Sequence, residues 1–140
     1  MMDAARLRTQ IQVHEGCSLK PYADTEGVLT IGYGRNLNEG ISDDEAEVML
    51  SNDITKAVLT AHRVVGSVTF EGLSDERQEV LVNMAFNLGE TRMKKFVHML
   101  AALTVEDYER VAAEMLDSKW ARQVGARAVQ LSEIMRKGAH

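Results

Sequence analysis

The chain has 140 residues, of which 45% are hydrophobic and 26% are charged, and its net charge is -5. This length is that of one ordinary domain, and the composition is that of a globular protein. The acidic balance argues against a general nucleic-acid binder, which needs basic surface to displace counterions. Cys17 is the only cysteine. An intrachain disulfide is therefore excluded, and Cys17 is expected to be a small packing residue.

Helical periodicity dominates the chain. Leu7 and Ile11 indicate a first helix over residues 3–15. The segment "SDDE" at residues 42–45 is a capping box that begins a long amphipathic helix, which is expected to stop near Gly66. The first ten residues contain no apolar run typical of a signal peptide, and no segment is predicted to cross a bilayer.

The second half of the chain is predicted to be entirely helical. Ser74 opens a helix that is apolar nearly all round from Val80 to Leu88, which is typical of a buried central helix. Thr104 is expected to cap a further helix that runs toward Trp120. Shorter helices are expected around residues 96–103 and 128–135.

Residues 17–36 have a different pattern. A turn cluster at Asp24 to Gly27 precedes alternating residues from Val28 to Tyr33, which predicts a β-hairpin or small sheet. The predicted fold class is therefore α+β: a single domain over residues 1–140, with a small β lobe and a larger helical lobe over about 42–140. We expect the active-site cleft where these lobes meet.

Glu15 is the candidate proton donor. It follows Ile11 by four residues and Leu7 by eight, so it shares the apolar face of the first helix. Burial on that face, together with the negative end of the helix before Gly16, is expected to raise the pKa of its carboxyl. A general acid needs a proton near neutral pH. The alternative is an ordinary surface glutamate in the last helical turn.

Asp24 and Thr30 are informative as a pair. Alone, Asp24 is typical of a turn cap and Thr30 of a strand residue. If residues 25–27 form a three-residue loop, Asp24 lies opposite Val28 and Thr30 projects from the same face. Their Cβ atoms would then lie roughly 7 Å apart, a gap that could hold a water molecule bonded to both side chains. A four-residue loop would change this pairing. An acid on a helix facing a carboxylate on a hairpin is the arrangement used in glycoside hydrolysis.

The run E-x8-D-x5-T, formed by Glu15, Asp24 and Thr30, resembles that of the phage-type lysozymes, the endolysins and muramidases of glycoside hydrolase family 24. Supporting matches follow in the same order: "VNMAFNLGE" at residues 82–90, "SKW" at residues 118–120, and Arg127. The resemblance covers most of the chain.

This resemblance implies a muramidase that cleaves the β-1,4 bond between N-acetylmuramic acid and N-acetylglucosamine in peptidoglycan. Glu15 would be the acid, Asp24 would activate or stabilise the attacking water, and Thr30 would position it, in an inverting displacement without a cofactor or metal. Arg127 matches an arginine that approaches the catalytic glutamate in the family, and such a cation would oppose the effect of burial on Glu15. Phe86 matches a cleft-side aromatic residue, although we expect it to pack in the core of the central helix.

The resemblance also implies partners and location. The expected partner is the glycan strand of peptidoglycan, with no nucleic acid and no stable membrane insertion, and the protein is expected to be a monomer. It would be made in the host cytoplasm of a phage or prophage and reach the wall through a separate holin. The alternative is a lysozyme-like module that binds glycan with little turnover, but the presence of all three catalytic residue types argues against it.

Three features depart from the family. Arg35 follows "GYG" where some members have histidine, so any histidine ion pair at that position is lost. Only seven residues separate Arg35 from Asp43, so the β lobe is shorter than in the larger members. Many relatives are basic, whereas this chain carries six acids and no base over residues 39–53 and five bases against Glu133 alone over residues 119–140. The uneven charge is interpreted as two solvated helix faces, with the steering of an anionic polymer as the alternative.

Overall fold

The computed structural model describes residues 1–140 and is 69% helical, with one small antiparallel sheet. This composition confirms the predicted α+β, lysozyme-like arrangement. No helix combines the length and apolarity needed to cross a membrane. In chain order the elements are α1 (Ala4–Glu15), β1 (Ser18–Ala23), β2 (Leu29–Gly32), β3 (Arg35–Asn36), a 3-10 helix (Leu37–Glu39), α2 (Asp43–Val65), α3 (Ser67–Glu71), α4 (Asp75–Leu88), α5 (Glu90–Met93), α6 (Val97–Thr104), α7 (Tyr108–Leu116), α8 (Lys119–Val124) and α9 (Ala126–Lys137).

The chain divides into two compact units, Met1–Val48 and Met49–His140. The boundary falls inside α2, which begins in the first unit and continues into the second. The expectation of a single lysozyme-like domain over residues 1–140 stays a prediction.

Helix α1 begins and ends close to the predicted bounds. The Asp3 side chain accepts from the Arg6 amide at 3.0 Å and caps the first turn. However, α1 contains no buried residue, and Leu7 and Ile11 are 39% and 44% exposed. The predicted buried apolar stripe is therefore wrong: the helical spacing of these residues is right, but none of them is buried.

The three strands form an antiparallel sheet in the order β1-β2-β3. Tyr22 pairs with Thr30, and Thr30 pairs in turn with Asn36, so Thr30 lies on the central strand. Thr30 is the only buried residue in the first unit. Backbone ladders and turns, rather than a hydrophobic core within this unit, define the geometry of the sheet.

The start and end of α2 match the sequence prediction. The Glu45 amide donates to the Ser42 hydroxyl at 3.2 Å, and the Ser42 amide donates to Glu45 Oε1 at 3.0 Å. This reciprocal pair is the predicted capping box, and it satisfies two amides that the helix itself leaves unpaired. The helix ends at Val65, immediately before Gly66.

All of the buried hydrophobic residues belong to the second unit. Helix α4 contributes more of them than any other helix, and its N-terminus is capped by Ser74, which accepts from the Arg77 amide. The buried residues of α4 are Val80, Leu81, Met84, Ala85 and Leu88. They join side chains from the surrounding helices, including Met99, Leu103, Val111, Met115, Trp120 and Met135, in one core.

One predicted cap is wrong. Thr104 is the last residue of α6, and its hydroxyl donates back to the Ala101 carbonyl at 2.6 Å. Helix α7 instead has Asp107 as its N-cap, because the Asp107 carboxylate accepts from the Arg110 amide at 3.2 Å. A threonine at a helix terminus can bond backward to a carbonyl as readily as forward to an amide.

The core predicts a large difference between two leucine-to-alanine substitutions. Leu81 is fully buried in α4, so Leu81→Ala should lower the free energy of unfolding by about 2–5 kcal/mol, through lost burial and the cavity left behind. Leu59 on α2 is 54% exposed, so Leu59→Ala should change it by about 0.5 kcal/mol or less. Urea unfolding of both variants measures this difference. Equal losses would contradict the assignment of the core.

Candidate active site

The side chain of Asp24 closes the β1–β2 turn. Its Oδ1 accepts from the Glu26 and Val28 amides at 2.9 and 2.8 Å, while the Gly27 amide donates to the Asp24 carbonyl at 3.0 Å. The Asp24 amide donates to the Val28 carbonyl at 2.9 Å, so Thr25 to Gly27 form a three-residue loop. The second carboxylate oxygen, Oδ2, makes no hydrogen bond within the chain.

This loop length fixes the register of the hairpin. Ala23 lies opposite Leu29 and Tyr22 opposite Thr30, which continues the opposition of Asp24 and Val28. The pairing predicted from the sequence is confirmed. Because successive side chains alternate between the faces of a sheet, Thr30 lies on the same face as Val28, the residue opposite Asp24.

The Thr30 hydroxyl donates its proton to a backbone carbonyl. The side chain is buried, at 4% exposure, and its Oγ1 donates to the Val28 carbonyl at 2.8 Å. A hydroxyl that donates in this way keeps its lone pairs for accepting from another donor. The hairpin therefore carries an acceptor hydroxyl at Thr30 and a carboxylate oxygen at Asp24 that makes no hydrogen bond within the chain.

Glu15 is the last residue of α1 and is exposed. The apolar burial from which a perturbed carboxyl was predicted is absent, because Leu7 and Ile11 are themselves exposed. Glu15 instead lies against the β2–β3 turn: a Cβ built on Gly34 would lie 3.0 Å from Glu15 Oε2. Gly34 has a φ of +83°, so the turn and the close approach of the carboxyl both favour glycine.

Arg35 forms an ion pair with Glu45. Its two terminal nitrogens lie 2.9 Å from the two carboxylate oxygens of Glu45, a bidentate pair. Hydrogen bonds from Arg35 first, and then from the Ser42 amide, lower the pKa of Glu45 to about 2. The arginine at position 35 therefore has a carboxylate partner, although histidine is absent there.

Arg127 and Phe86 lie in the second unit. The Arg127 guanidinium donates from Nε and Nη2 to Asn83 Oδ1, at 3.1 and 2.6 Å. These residues line a groove of about 630 Å³ that also includes Leu50 and Ile54, a size within the range of ligand sites. Phe86 is 46% exposed, so the expectation that it packs in the core is wrong.

Cys17, like Phe86, was wrongly expected to pack in the interior, and three residues that contact the site were given no role there. Cys17 is exposed and is not a packing residue. Gly34, Glu45 and Asn83 were assigned no role at the site, although each contacts a residue considered there: Glu15, Arg35 and Arg127 respectively. The available signals were the glycines that break the strand pattern after Gly32 and the polar residues inside the apolar pattern of α4. No group of three or more histidine, cysteine, aspartate or glutamate side chains is placed to hold a metal ion.

Comparison with known proteins gives consistent similarities. Residues 12–138 match the family model described as phage lysozyme. The chain is 30% identical to the pre-baseplate central spike protein Gp5 of Enterobacteria phage T4, over 89% of this chain and 26% of that protein. It is 33% identical to an endolysin of Acyrthosiphon pisum secondary endosymbiont phage 1, over 80% and 75%. It is 24% identical to the Dictyostelium discoideum protein named "Probable T4-type lysozyme 2", over 94% of both. The chain thus spans about a quarter of the spike protein and most of the other two.

The Arg35–Glu45 pair predicts a pH dependence of stability. Since the folded-state pKa of Glu45 is lowered from 4.5 to about 2, its stabilising effect is fully present above pH 4.5 and is lost as the pH falls through 2. Thermal unfolding of the wild type should therefore shift to lower temperature between these pH values more steeply than that of Glu45→Gln. Glu47→Gln, on the same helix and outside any ion pair, is the control and should follow the wild type. Parallel curves for wild type and Glu45→Gln would contradict the assignment.

Proposed function

The chain belongs to the phage lysozyme family, and we infer from this membership and from the hairpin geometry that it is a peptidoglycan muramidase. The proposed reaction is hydrolysis of the β-1,4 bond between N-acetylmuramic acid and N-acetylglucosamine. The observation that carries the proposal is the hairpin register, which places Asp24 opposite Val28, two residues before Thr30, whose hydroxyl donates to the Val28 carbonyl.

The hairpin is suited to hold an attacking water molecule. Thr30 Oγ1 donates to Val28 and so can only accept from a further partner, and Asp24 Oδ2 is an unpaired acceptor. A water that donates one hydrogen to each of these oxygens has a lone pair left for the anomeric carbon. Asp24 would take the proton of this water as the general base, and Thr30 would fix its direction.

Glu15 is proposed as the general acid. In a single inverting displacement, the water oxygen bonds to the anomeric carbon while the bond to the leaving oxygen breaks. The Glu15 proton passes to that leaving oxygen, and one water proton passes to Asp24, so charge and atoms balance. The exposure of Glu15 is compatible with this role, because the carboxyl must be reachable by a polymer that covers it during the reaction.

Phe86 and Arg127 are proposed to bind the glycan. The half-exposed ring of Phe86 offers an apolar surface, and Arg127 offers donors beside it, held in place by Asn83. Most ligand sites combine an apolar lining with a few oriented polar groups, and the groove around these residues has that character.

The biological setting that we propose is lysis of a bacterial host by a phage or prophage. The partner is the glycan strand, and the protein acts as a monomer without a cofactor. Release from the cytoplasm to the wall would depend on a separate holin. The endolysin among the similar proteins supports this setting.

The proposal predicts the effect of removing the proton donor. Glu15→Gln should release reducing ends from purified peptidoglycan about 10² to 10⁴ times more slowly than wild type, because general-acid assistance contributes about that much. Asp24→Asn should also be strongly impaired, while it keeps an Oδ1 acceptor for the turn amides.

Glu26→Gln is the matched control, since Glu26 is an exposed carboxylate in the same turn that the mechanism does not use. It should retain wild-type activity. Wild-type rates in Glu15→Gln would end the proposal. Binding of the wild type to peptidoglycan without release of reducing ends would instead identify a glycan-binding module.

A further inference from the structure

The Glu15 carboxyl lies close to Gly34 in the β2–β3 turn. A Cβ on Gly34 would lie 3.0 Å from Glu15 Oε2 and 3.4 Å from Cδ. The turn itself is tight, because Ile31 and Arg35 already pair across it in the β2–β3 ladder. The position of Gly34 therefore limits where the Glu15 carboxyl can lie on that side.

The residue after Gly34 is tied to a different element. Arg35 binds Glu45 through both carboxylate oxygens at 2.9 Å, and its Nη1 also lies 3.5 Å from the Gly40 carbonyl. Glu45 is in turn held by the Ser42 amide at the start of α2. A planar guanidinium paired in this way fixes orientation as well as distance. The ion pair thus connects the turn to the first turn of a 23-residue helix.

We propose that the Arg35–Glu45 ion pair is a positioning pair, which fixes the turn that carries Gly34 and so holds the Glu15 carboxyl in line with the leaving oxygen. The inference rests on the function proposed above. Neither Arg35 nor Glu45 need touch the glycan. Their effect reaches the reaction through the backbone of the neighbouring residue and the carboxyl packed against it.

The reason to expect a measurable effect is the sensitivity of proton transfer to geometry. A misplacement of about 1 Å can reduce a catalysed rate about 10²-fold. The first unit has no buried residue other than Thr30, so little packing within this unit would restore the turn once the pair is broken. A loss confined to general-acid assistance has a distinctive signature, because a good leaving group departs without a proton.

The experiment compares two substrates in four variants. The substrates are a peptidoglycan-derived β-1,4 oligomer and the same oligomer with a 2,4-dinitrophenyl leaving group. Arg35→Ala and Glu45→Gln break the pair, and a glutamine at position 45 can still cap Ser42. Arg35→Lys keeps the positive charge but cannot form the bidentate pair of a guanidinium. Arg63→Ala breaks the Arg63–Glu90 pair, an exposed ion pair of the second unit, and is the matched control.

The expected result is a fall in kcat of about tenfold on the natural oligomer for Arg35→Ala and Glu45→Gln, with KM unchanged. The same variants should keep nearly the wild-type rate on the dinitrophenyl substrate. Arg35→Lys should recover part of the loss. A further variant that combines Arg35→Ala with Glu45→Gln should be no worse than the poorer of these two single variants. Arg63→Ala should match wild type on both substrates.

Equal losses on both substrates would overturn the inference, and so would wild-type kcat values in Arg35→Ala. Neither result would affect the proposed function, which requires only that the wild type cleave the natural oligomer. A wild type inactive on both substrates would refute the proposed function itself, so the two failures are distinguishable.

A second comparison addresses the contact directly. Gly34→Ala places a methyl group against Glu15, whereas Gly32→Ala adds one where no atom lies within 4 Å. Both glycines have positive φ, so the backbone cost is similar. Only Gly34→Ala should lose activity selectively on the natural oligomer. The same selective loss in Gly32→Ala would contradict the inference.

Discussion

The hydrogen bonds of the Asp24 side chain are the constraint on which the geometry of the first unit depends. Asp24 Oδ1 accepts hydrogen bonds from the Glu26 and Val28 amides, and these bonds fix a three-residue loop. Loop length sets hairpin register, and a shift of one residue would turn every side chain to the opposite face. In a unit whose only buried residue is Thr30, no hydrophobic core enforces that register. The turn therefore has to do so.

We propose that one oxygen of the Asp24 carboxylate stabilises the turn and that the other accepts a proton from the attacking water. Oδ1 accepts from two turn amides, and Oδ2 remains an acceptor on the same hairpin as Thr30. Gly34 also has two roles in the β2–β3 turn. Its positive φ suits the turn, and its lack of a side chain leaves space for the Glu15 carboxyl. Tight turns, rather than a packed interior, place these groups.

The features that the sequence predicted well are those determined locally. The capping box at Ser42, the stop at Gly66 and the pairing of Asp24 with Val28 all depend on residues within a few positions of one another. The burial of one face of α4 was predictable because its apolar residues recur at helical spacing.

The features that failed depend on what lies across from a residue. Periodicity shows that Leu7, Ile11 and Glu15 share a face, but not whether anything covers it, and that face is exposed. Phe86 was assigned to the core for the same reason. The Arg35–Glu45 pair joins residues ten apart through a short strand and a 3-10 helix, and no propensity fixes such a path.

In the proposed reaction the hairpin directs a water molecule, rather than a protein oxygen, at the anomeric carbon. Proton NMR of a β-1,4 oligomer during the first turnovers, before mutarotation, distinguishes these two nucleophiles. The new reducing end should appear first as the α anomer. Initial formation of the β anomer would mean a covalent intermediate, and the roles assigned to Asp24 and Thr30 would be wrong.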